Sequence, residues 1–326
     1  MEASLKVSIA LATYNGSKYI EEQLKSYLSQ TIIPDELVVS DDNSTDDTLG
    51  IIYEYARKVP FSVKIYRNKE RLGYVRNFNN AIEKCTGDII FLSDQDDIWL
   101  PQKIERVLIE FESNKDILLV MNDAEIILQN GEKTGLTMLN QIRSLGYKED
   151  RFDSGCCMAI NNVLIPLILP IPYLEYKHDS WINKISTTFE VKKIINQVLQ
   201  HYRRHNQSAS SWIGSRAEKV NQYTIIKEYK NIDQREYLLK RLNKLKVLEE
   251  RIDEYINNLD KFNILKTRYD CAKNKIHREM VAIENRNEAL KKKRINRLFD
   301  VIGILLRREY RYFHGIKSFI KDIIMK

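Results

Sequence analysis

Short apolar runs and amphipathic stretches alternate along the front of the chain, separated by polar turns. Lys6–Ala12 is apolar and β-rich and predicts a strand. Tyr19, Ile20, Leu24, Tyr27 and Leu28 then recur at helical spacing. Glu36–Ser40 predicts a second strand, centred on Leu37-Val38-Val39. Ser44, with Asp47 three residues on, has the form of a capping box and predicts a helix to about Arg57. Ser62–Tyr66 predicts a third strand, Tyr74–Lys84 a helix, and Asp88–Ser93 a fourth strand. Pro101 suits the first turn of another helix, and Ile117–Met121 predicts a fifth strand. This rhythm predicts an α/β fold, Rossmann-like, with a mostly parallel sheet flanked by helices on both faces. Ligands of such sheets bind beyond the carboxyl ends of the strands.

The rear is patterned differently. All six prolines lie at or before Pro172, and neither Gly nor Pro occurs between Gly214 and Gly303. Leu238, Leu242, Leu245, Ile252, Ile256, Leu259 and Phe262 recur three, four or seven residues apart. That spacing predicts a coiled-coil-like seam, closed in a helical hairpin or between two subunits of a homodimer. The chain therefore divides into a catalytic-type α/β domain, 1–214, and an all-α C-terminal module, 215–326. Charge follows the same division. Of the net +7 over 326 residues, 216–326 contributes 28 Lys+Arg against 16 Asp+Glu, or +12, leaving −5 for the front. At the end, Lys291-Lys292-Lys293-Arg294 precedes an apolar stripe through Leu298, Phe299, Val301, Ile302 and Ile304. Basic and aromatic residues beside such a stripe suit a helix lying on an anionic bilayer, here the inner leaflet.

Several classes are excluded. No run approaches the ~20 apolar residues of a membrane span. Val163–Tyr173 is interrupted by Pro166, Pro170 and Pro172, and Val7–Ala12 is too short for a secretory leader. Cys85, Cys156, Cys157 and Cys271 form no C-x-x-C pair, as expected of free thiols in a reducing cytoplasm. The basic rear lacks an RNA-binding aromatic signature or zinc spacing, so no nucleic-acid partner is expected.

Three polar clusters stand where strands end: Thr13-Tyr14-Asn15-Gly16, Ser40-Asp41-Asp42-Asn43-Ser44 and Ser93-Asp94-Gln95-Asp96-Asp97. Turn chemistry explains each alone, but not all three at one sheet edge. In the third, Asp94-x-Asp96 offers two hard oxygen ligands, suited to Mn²⁺ or Mg²⁺ shared with a diphosphate. Arg76 follows Gly73 and is placed to meet a phosphate or nucleotide. Gly-x-Gly-x-x-Gly and Walker sequences are absent. A nucleotidyltransferase making an NDP-sugar would favour a glycine-rich basic loop, for which only Gly16 and Lys18 are available.

Together these stretches resemble family 2 glycosyltransferases of the GT-A fold. The matching segments are Ala12–Gly16, Ser40–Thr48, Gly73–Asn77 and Gly87–Trp99. The form Asp94-Gln95-Asp96-Asp97-Ile98-Trp99 resembles the rhamnosyltransferase-like branch, which builds bacterial polysaccharides, often from a dTDP-sugar. The resemblance implies that Thr13, Tyr14 and Asn15 line the nucleotide pocket and that Asp42 accepts the imide N–H of uracil or thymine. It further implies that Arg76 approaches the nucleotide or diphosphate, Asp94 meets ribose or metal, and Asp96 ligates the metal. Residues 1–100 then form the nucleotide-sugar half and 101–214 the acceptor half.

His178-Asp179-Ser180-Trp181 resembles the place where this family keeps its catalytic base, which assigns that role to Asp179. An inverting transfer needs one carboxylate to take the acceptor hydroxyl proton. Ser154–Ala159 resembles the segment beneath the acceptor. Tyr202-Arg203-Arg204-His205-Asn206 resembles the closing loop, with His205 completing the metal shell. The Gln-x-x-Arg-Trp motif of processive synthases is absent. The resemblance thus implies an inverting, metal-dependent transfer of one sugar, from dTDP-rhamnose or a UDP-sugar to a saccharide acceptor, lipid-linked or free.

Overall fold

The computed structural model describes residues 5–205, 212–221, 224, 233–257 and 264–324. The chain forms two compact units, Met1–Lys227 and Glu228–Lys326.

The first unit is built on a nine-stranded mixed sheet of β1 (Val7–Thr13), β2 (Glu36–Asp41), β3 (Ser62–Arg67), β4 (Ile89–Ser93), β5 (Ile98–Trp99), β6 (Leu119–Leu128), β7 (Lys133–Thr137), β8 (Met158–Asn161) and β9 (Lys192–Arg204), in the order β3-β2-β1-β4-β8-β6-β9-β5, with β7 paired to β6. The parallel part comprises β1 (Val7–Thr13), β2 (Glu36–Asp41), β3 (Ser62–Arg67) and β4 (Ile89–Ser93). Helices α1 (Ile20–Leu28), α2 (Thr48–Ala56) and α3 (Tyr74–Glu83) alternate with these strands. Ile9, Leu11, Leu37, Val39 and Phe91 are buried in one core with Leu24, Tyr27 and Trp99. Continuous apolar runs, rather than alternation, identify strands covered on both faces. One local expectation fails. Ser44 does not cap α2: its hydroxyl donates to Asp41 at 2.5 Å and accepts from the Asn15 N–H at 2.9 Å. Asp46 instead accepts the Thr48 N–H at 3.1 Å, so the acids before α2 serve the loop as well as the helix start.

Register decides where the site lies. Thr13 pairs with Asp41, and Leu11 with Ser93, so β1, β2 and β4 end side by side. Beyond Asp97, β5 (Ile98–Trp99) pairs with Gln200 and His201 of β9 (Lys192–Arg204). That pairing brings the end of β9 to the Asp94–Asp97 turn. The fifth predicted strand is longer than expected: β6 runs Leu119–Leu128 and lies parallel to β9. After it come β7 (Lys133–Thr137), α5 (Met138–Ser144), β8 (Met158–Asn161), α6 (Ile165–Ile168) and α7 (His178–Thr188). Between β5 and β6, α4 (Lys103–Ser113) turns Ile104, Val107, Leu108 and Phe111 into the core. Residues past Gly214 still pack on α5: Gln141 Nε2 donates to the carbonyls of Arg216 and Glu218, and Ser144 Oγ to that of Val220. The four cysteines are free thiols.

The second unit contains α8 (Gln234–Asn257), α9 (Ile264–Thr267), α10 (Tyr269–Lys291), α11 (Arg294–Leu306) and α12 (Ile316–Ile324). Helices α8 and α10 run antiparallel, since Arg241 pairs with Glu279 at 2.7 Å while Lys273 pairs with Glu249 and Asp253. Leu238, Leu245 and Ile252 of the seam are buried within this unit. Leu259 and Phe262 lie outside the described residues. Arg286 and Asp322 form a buried pair through two hydrogen bonds of 2.8 and 2.9 Å. Among the described residues, no helix is long and apolar enough to cross a membrane.

Candidate active site

Three loops close on one another at the ends of β1, β2 and β4. Thr13 is buried; its hydroxyl donates to Asp41 at 2.9 Å and its carbonyl accepts from Asn77 at 3.1 Å. Gln95 clamps the neighbouring residue with a two-point amide pair. Its Oε1 accepts the Tyr14 N–H at 2.9 Å, and its Nε2 donates to the Tyr14 carbonyl at 3.0 Å. Asn15 takes a left-handed conformation, φ 46°, and accepts the Thr45 N–H at 2.8 Å. A Cβ at Gly16 would stand 2.2 Å from Gln95 Oε1, so a side chain there would push the clamp aside. The backbone from Tyr14 to Gly16 is therefore fixed by side chains from both adjoining loops.

Asp42 is buried at the end of β2. Its Oδ1 accepts from the Leu72 N–H at 2.7 Å and from Asn68 at 3.1 Å; its Oδ2 accepts from the Gly73 N–H at 2.8 Å. This carboxylate ties the β3–α3 loop to the strand end, and Oδ2 keeps acceptor capacity beyond that one bond. Gly73, at φ 85°, starts α3 in a conformation that side chains disfavour. Arg76 is exposed on α3, with its guanidinium 5.2 Å from the Tyr173 ring centroid. Arg71 stacks on Tyr14 at 4.0 Å.

The acidic turn after β4 separates three carboxylates. Asp97 is fully buried and accepts from Gln200 Nε2 at 3.3 Å and from the Arg203 N–H at 3.2 Å. Burial, with Cys156 and the neighbouring acids, pushes its pKa up. Asp96 meets His205, whose Nε2 lies 2.7 Å from Oδ2, and His205 stacks on Tyr19 at 4.9 Å. Asp94 accepts no side-chain hydrogen bond among the described residues. Its pKa is pushed up to about 7, first by burial, then by the charges of Asp96 and Asp179, with Lys103 opposing. The ligand atoms of Asp94, Asp97 and Cys156 lie within 4.8 Å of one another. Lys103 is the buried cation beneath them. It donates to the Cys156 carbonyl at 2.9 Å and to Gln200, and burial lowers its pKa to about 8. Asp94 and Asp97 offer the hard carboxylate oxygens that suit a small divalent cation, and the Asp96–His205 pair stands on the same turn.

Asp179 lies in the first turn of α7 rather than at its cap, which is Lys177. Its Oδ1 accepts the Ser180 N–H at 2.7 Å. Its charge also reaches Asp153, whose pKa is pushed up to about 7 by burial first and by Asp179 second, against Lys192. Beside it, His178 is buried against Phe78 at 4.1 Å with neither ring nitrogen hydrogen-bonded, and burial lowers its pKa. The structure thus gathers Thr13, Tyr14, Asn15 and Asp42 around the β1 and β2 ends. Asp94, Asp96 and His205 gather at the β4 turn, and Asp179 lies within electrostatic range of Asp94. Arg76 is exposed on α3, beside the Tyr173 ring. Asn206 lies outside the described residues.

Several supporting residues escape sequence reasoning. Arg203 is buried and donates Nε to the Asp96 carbonyl at 3.0 Å, while its guanidinium also meets Glu22. Lys103 had one available signal: it falls four residues before Val107 on the core face of α4. Gln95 lies within the quoted acidic cluster, but nothing there announces its clamp on Tyr14, and Asp153 carries no pattern that distinguishes it from a turn residue.

Residues 8–163 match the family model described as Glycosyl transferase family 2. An uncharacterised glycosyltransferase of Nostoc sp. is 31% identical over 124 residues, covering 38% of this chain and 38% of its own. The dTDP-rhamnosyl transferase RfbG of Shigella flexneri is 39% identical over 102 residues, covering 30% and 35%. An uncharacterised glycosyltransferase of Methanocaldococcus jannaschii is 27% identical over 233 residues, covering 69% and 80%. The first of these aligns with the chain over about two fifths of its length. Among solved structures, S. aureus TarS 1–349 in complex with UDP-GlcNAc superposes with a TM-score of 0.54 at 17% identity, covering 98% of this chain and 82% of that one. That likeness shows the α/β fold of the GT-A type, with a helical region following it. Residues 8–163 accordingly form a glycosyl transferase family 2 domain.

Proposed function

We propose that the chain is an inverting, metal-dependent glycosyltransferase that moves a single sugar from a nucleoside-diphosphate sugar to a saccharide acceptor. The observation carrying this reading is the convergence at one sheet edge of Asp94, raised in pKa, the Asp96–His205 pair and the Asp179 carboxylate. Tyr14 and Asn15, held by Gln95 and Ser44, form one wall of the nucleotide site. Asp42 Oδ2 accepts the imide N–H of a uracil or thymine base. Arg76 approaches the diphosphate from α3. Asp94, Asp96 and His205 would hold Mn²⁺ or Mg²⁺, which would neutralise charge on the leaving diphosphate.

Asp179 takes the proton of the acceptor hydroxyl. The acceptor oxygen bonds to the anomeric carbon as the bond from that carbon to the phosphate oxygen breaks. The electron pair departs with the nucleoside diphosphate, and configuration inverts. One carboxylate suffices, whereas glycoside hydrolysis uses two flanking ones. The similarity to the Shigella dTDP-rhamnosyl transferase supports a dTDP-sugar over other donors, with an acceptor in bacterial surface polysaccharide synthesis.

A panel of UDP- and dTDP-sugars with and without Mn²⁺ tests this by thermal unfolding. A donor bound at a hundred times its Kd stabilises the folded state by about 2.7 kcal/mol. The expected result is a rise for one donor that requires Mn²⁺. No rise for any donor refutes the reading.

A further inference from the structure

The last two helices expose the wrong side of themselves for a free surface. In α11, Arg297, Val301 and Ile304 face inward. On the opposite side Ile295, Phe299, Ile302 and Leu306 form a single stripe, spaced four, three and four residues apart. Ile295, Phe299 and Leu306 are 80%, 77% and 77% exposed. In α12 the same inversion recurs beside a half-buried Phe319 that packs on Tyr310. Ser318 and Asp322 are the buried side, and Ile316, Ile320 and Ile324 are the exposed one. The two helices pack together within the unit. Ordinary surface helices place such residues inward, and contiguous exposed apolar stripes mark an interaction surface.

Charge identifies the occupant. Residues 291–326 hold 11 Lys+Arg and 3 Asp+Glu. Each acid is already satisfied inside the unit. Asp300 pairs with Lys292 at 2.8 Å, Glu309 is buried with Arg307 and Asn285, and Asp322 is buried with Arg286. Lys293, Arg308 and Arg311 remain exposed around the apolar stripes. A second copy meeting this face would bring cations against cations with no outward acid to offset them.

We propose that this face docks on an anionic lipid surface, with Phe299 and Leu306 entering the acyl boundary and Lys293, Arg308 and Arg311 at the headgroups. The combination of apolar burial and basic headgroup contacts is what reversible interfacial binding requires. The inference stands apart from the glycosyltransferase reading, since it uses none of the residues at the sheet edge.

Sedimentation of the full chain with phosphatidylcholine vesicles, with and without phosphatidylglycerol, tests it. The chain is expected to sediment with the phosphatidylglycerol vesicles only, and less so at high salt. Phe299→Glu with Leu306→Glu should abolish binding. Arg308→Gln with Arg311→Gln should weaken it about thirtyfold, at roughly fivefold per basic residue. All substituted side chains are exposed, and unchanged thermal unfolding of the variants confirms that folding is intact. Failure to sediment with either vesicle overturns the proposal, as does equal binding by the Phe299/Leu306 variant. A dimer in solution that this variant converts to monomer assigns the face to a second copy and overturns it equally.

Discussion

Buried charge is settled differently in the two units. In the helical unit, Arg286 and Asp322 are both buried and meet through two hydrogen bonds, and Asp322 also accepts from the Tyr310 hydroxyl at 2.8 Å. Arg241 and Glu279 are matched in the same way. In the α/β unit, Asp94, Asp96, Asp97 and Asp179 crowd one edge, while Lys103 is the buried cation opposing Asp94. The helical pairs are closed and leave nothing for a ligand to satisfy. Of these, Asp94 and Asp97 are raised in pKa by burial and by the neighbouring charges, so a cation or a substrate proton gains free energy by arriving there. The difference separates charge used to hold a fold from charge held ready for chemistry.

Breaking the closed pair should have the largest effect on stability. Asp322→Ala leaves the Arg286 guanidinium buried without its carboxylate and should cost about 3–5 kcal/mol in urea unfolding, while replacing both residues by leucine or methionine costs far less. A smaller effect is expected of Asp153→Asn. The folded state holds the Asp153 proton up to about pH 7, against an ordinary 3.8. That side chain therefore costs nothing below about pH 4 and progressively destabilises as pH rises to about 7. Unfolding measured across that range should show the variant gaining steadily on the wild type as pH rises from about 4 to about 7, with no further gain above pH 7. The smallest effect is expected of Asp94→Asn. Without divalent cation it should stabilise by about 1 kcal/mol, because it removes one repelled charge, and it should abolish the Mn²⁺-dependent response to donor. Destabilisation by this change in metal-free buffer would erase the contrast between the units.

The parallel strands were legible because β1, β2 and β4 are covered on both faces and read as unbroken apolar runs. The clusters Thr13–Gly16, Ser40–Ser44 and Ser93–Asp97 were legible because strand ends are where an α/β sheet places ligands. The β6–β9 ladder was not, since Lys192–Arg204 mixes polar and apolar residues and is only partly buried over its first half. The capping box misled because Ser44 has a better use: its hydroxyl bridges Asp41 and Asn15 across two loops. Arg203 and Gln95 act through long-range contacts, so nothing in their local spacing announces them. The exposed stripe of α11 was visible as amphipathicity, but only the structure shows that the apolar side faces outward.

The central claim is that Asp179 removes the acceptor proton while the sheet edge beyond β1, β2 and β4 binds the donor. Asp179→Asn measured for both donor binding and sugar transfer tests it most directly. Donor with Mn²⁺ should still raise the unfolding temperature of the variant as it does the wild type, while transfer falls about 10²–10⁴-fold. Transfer at the wild-type rate by the Asp179→Asn protein would contradict the account.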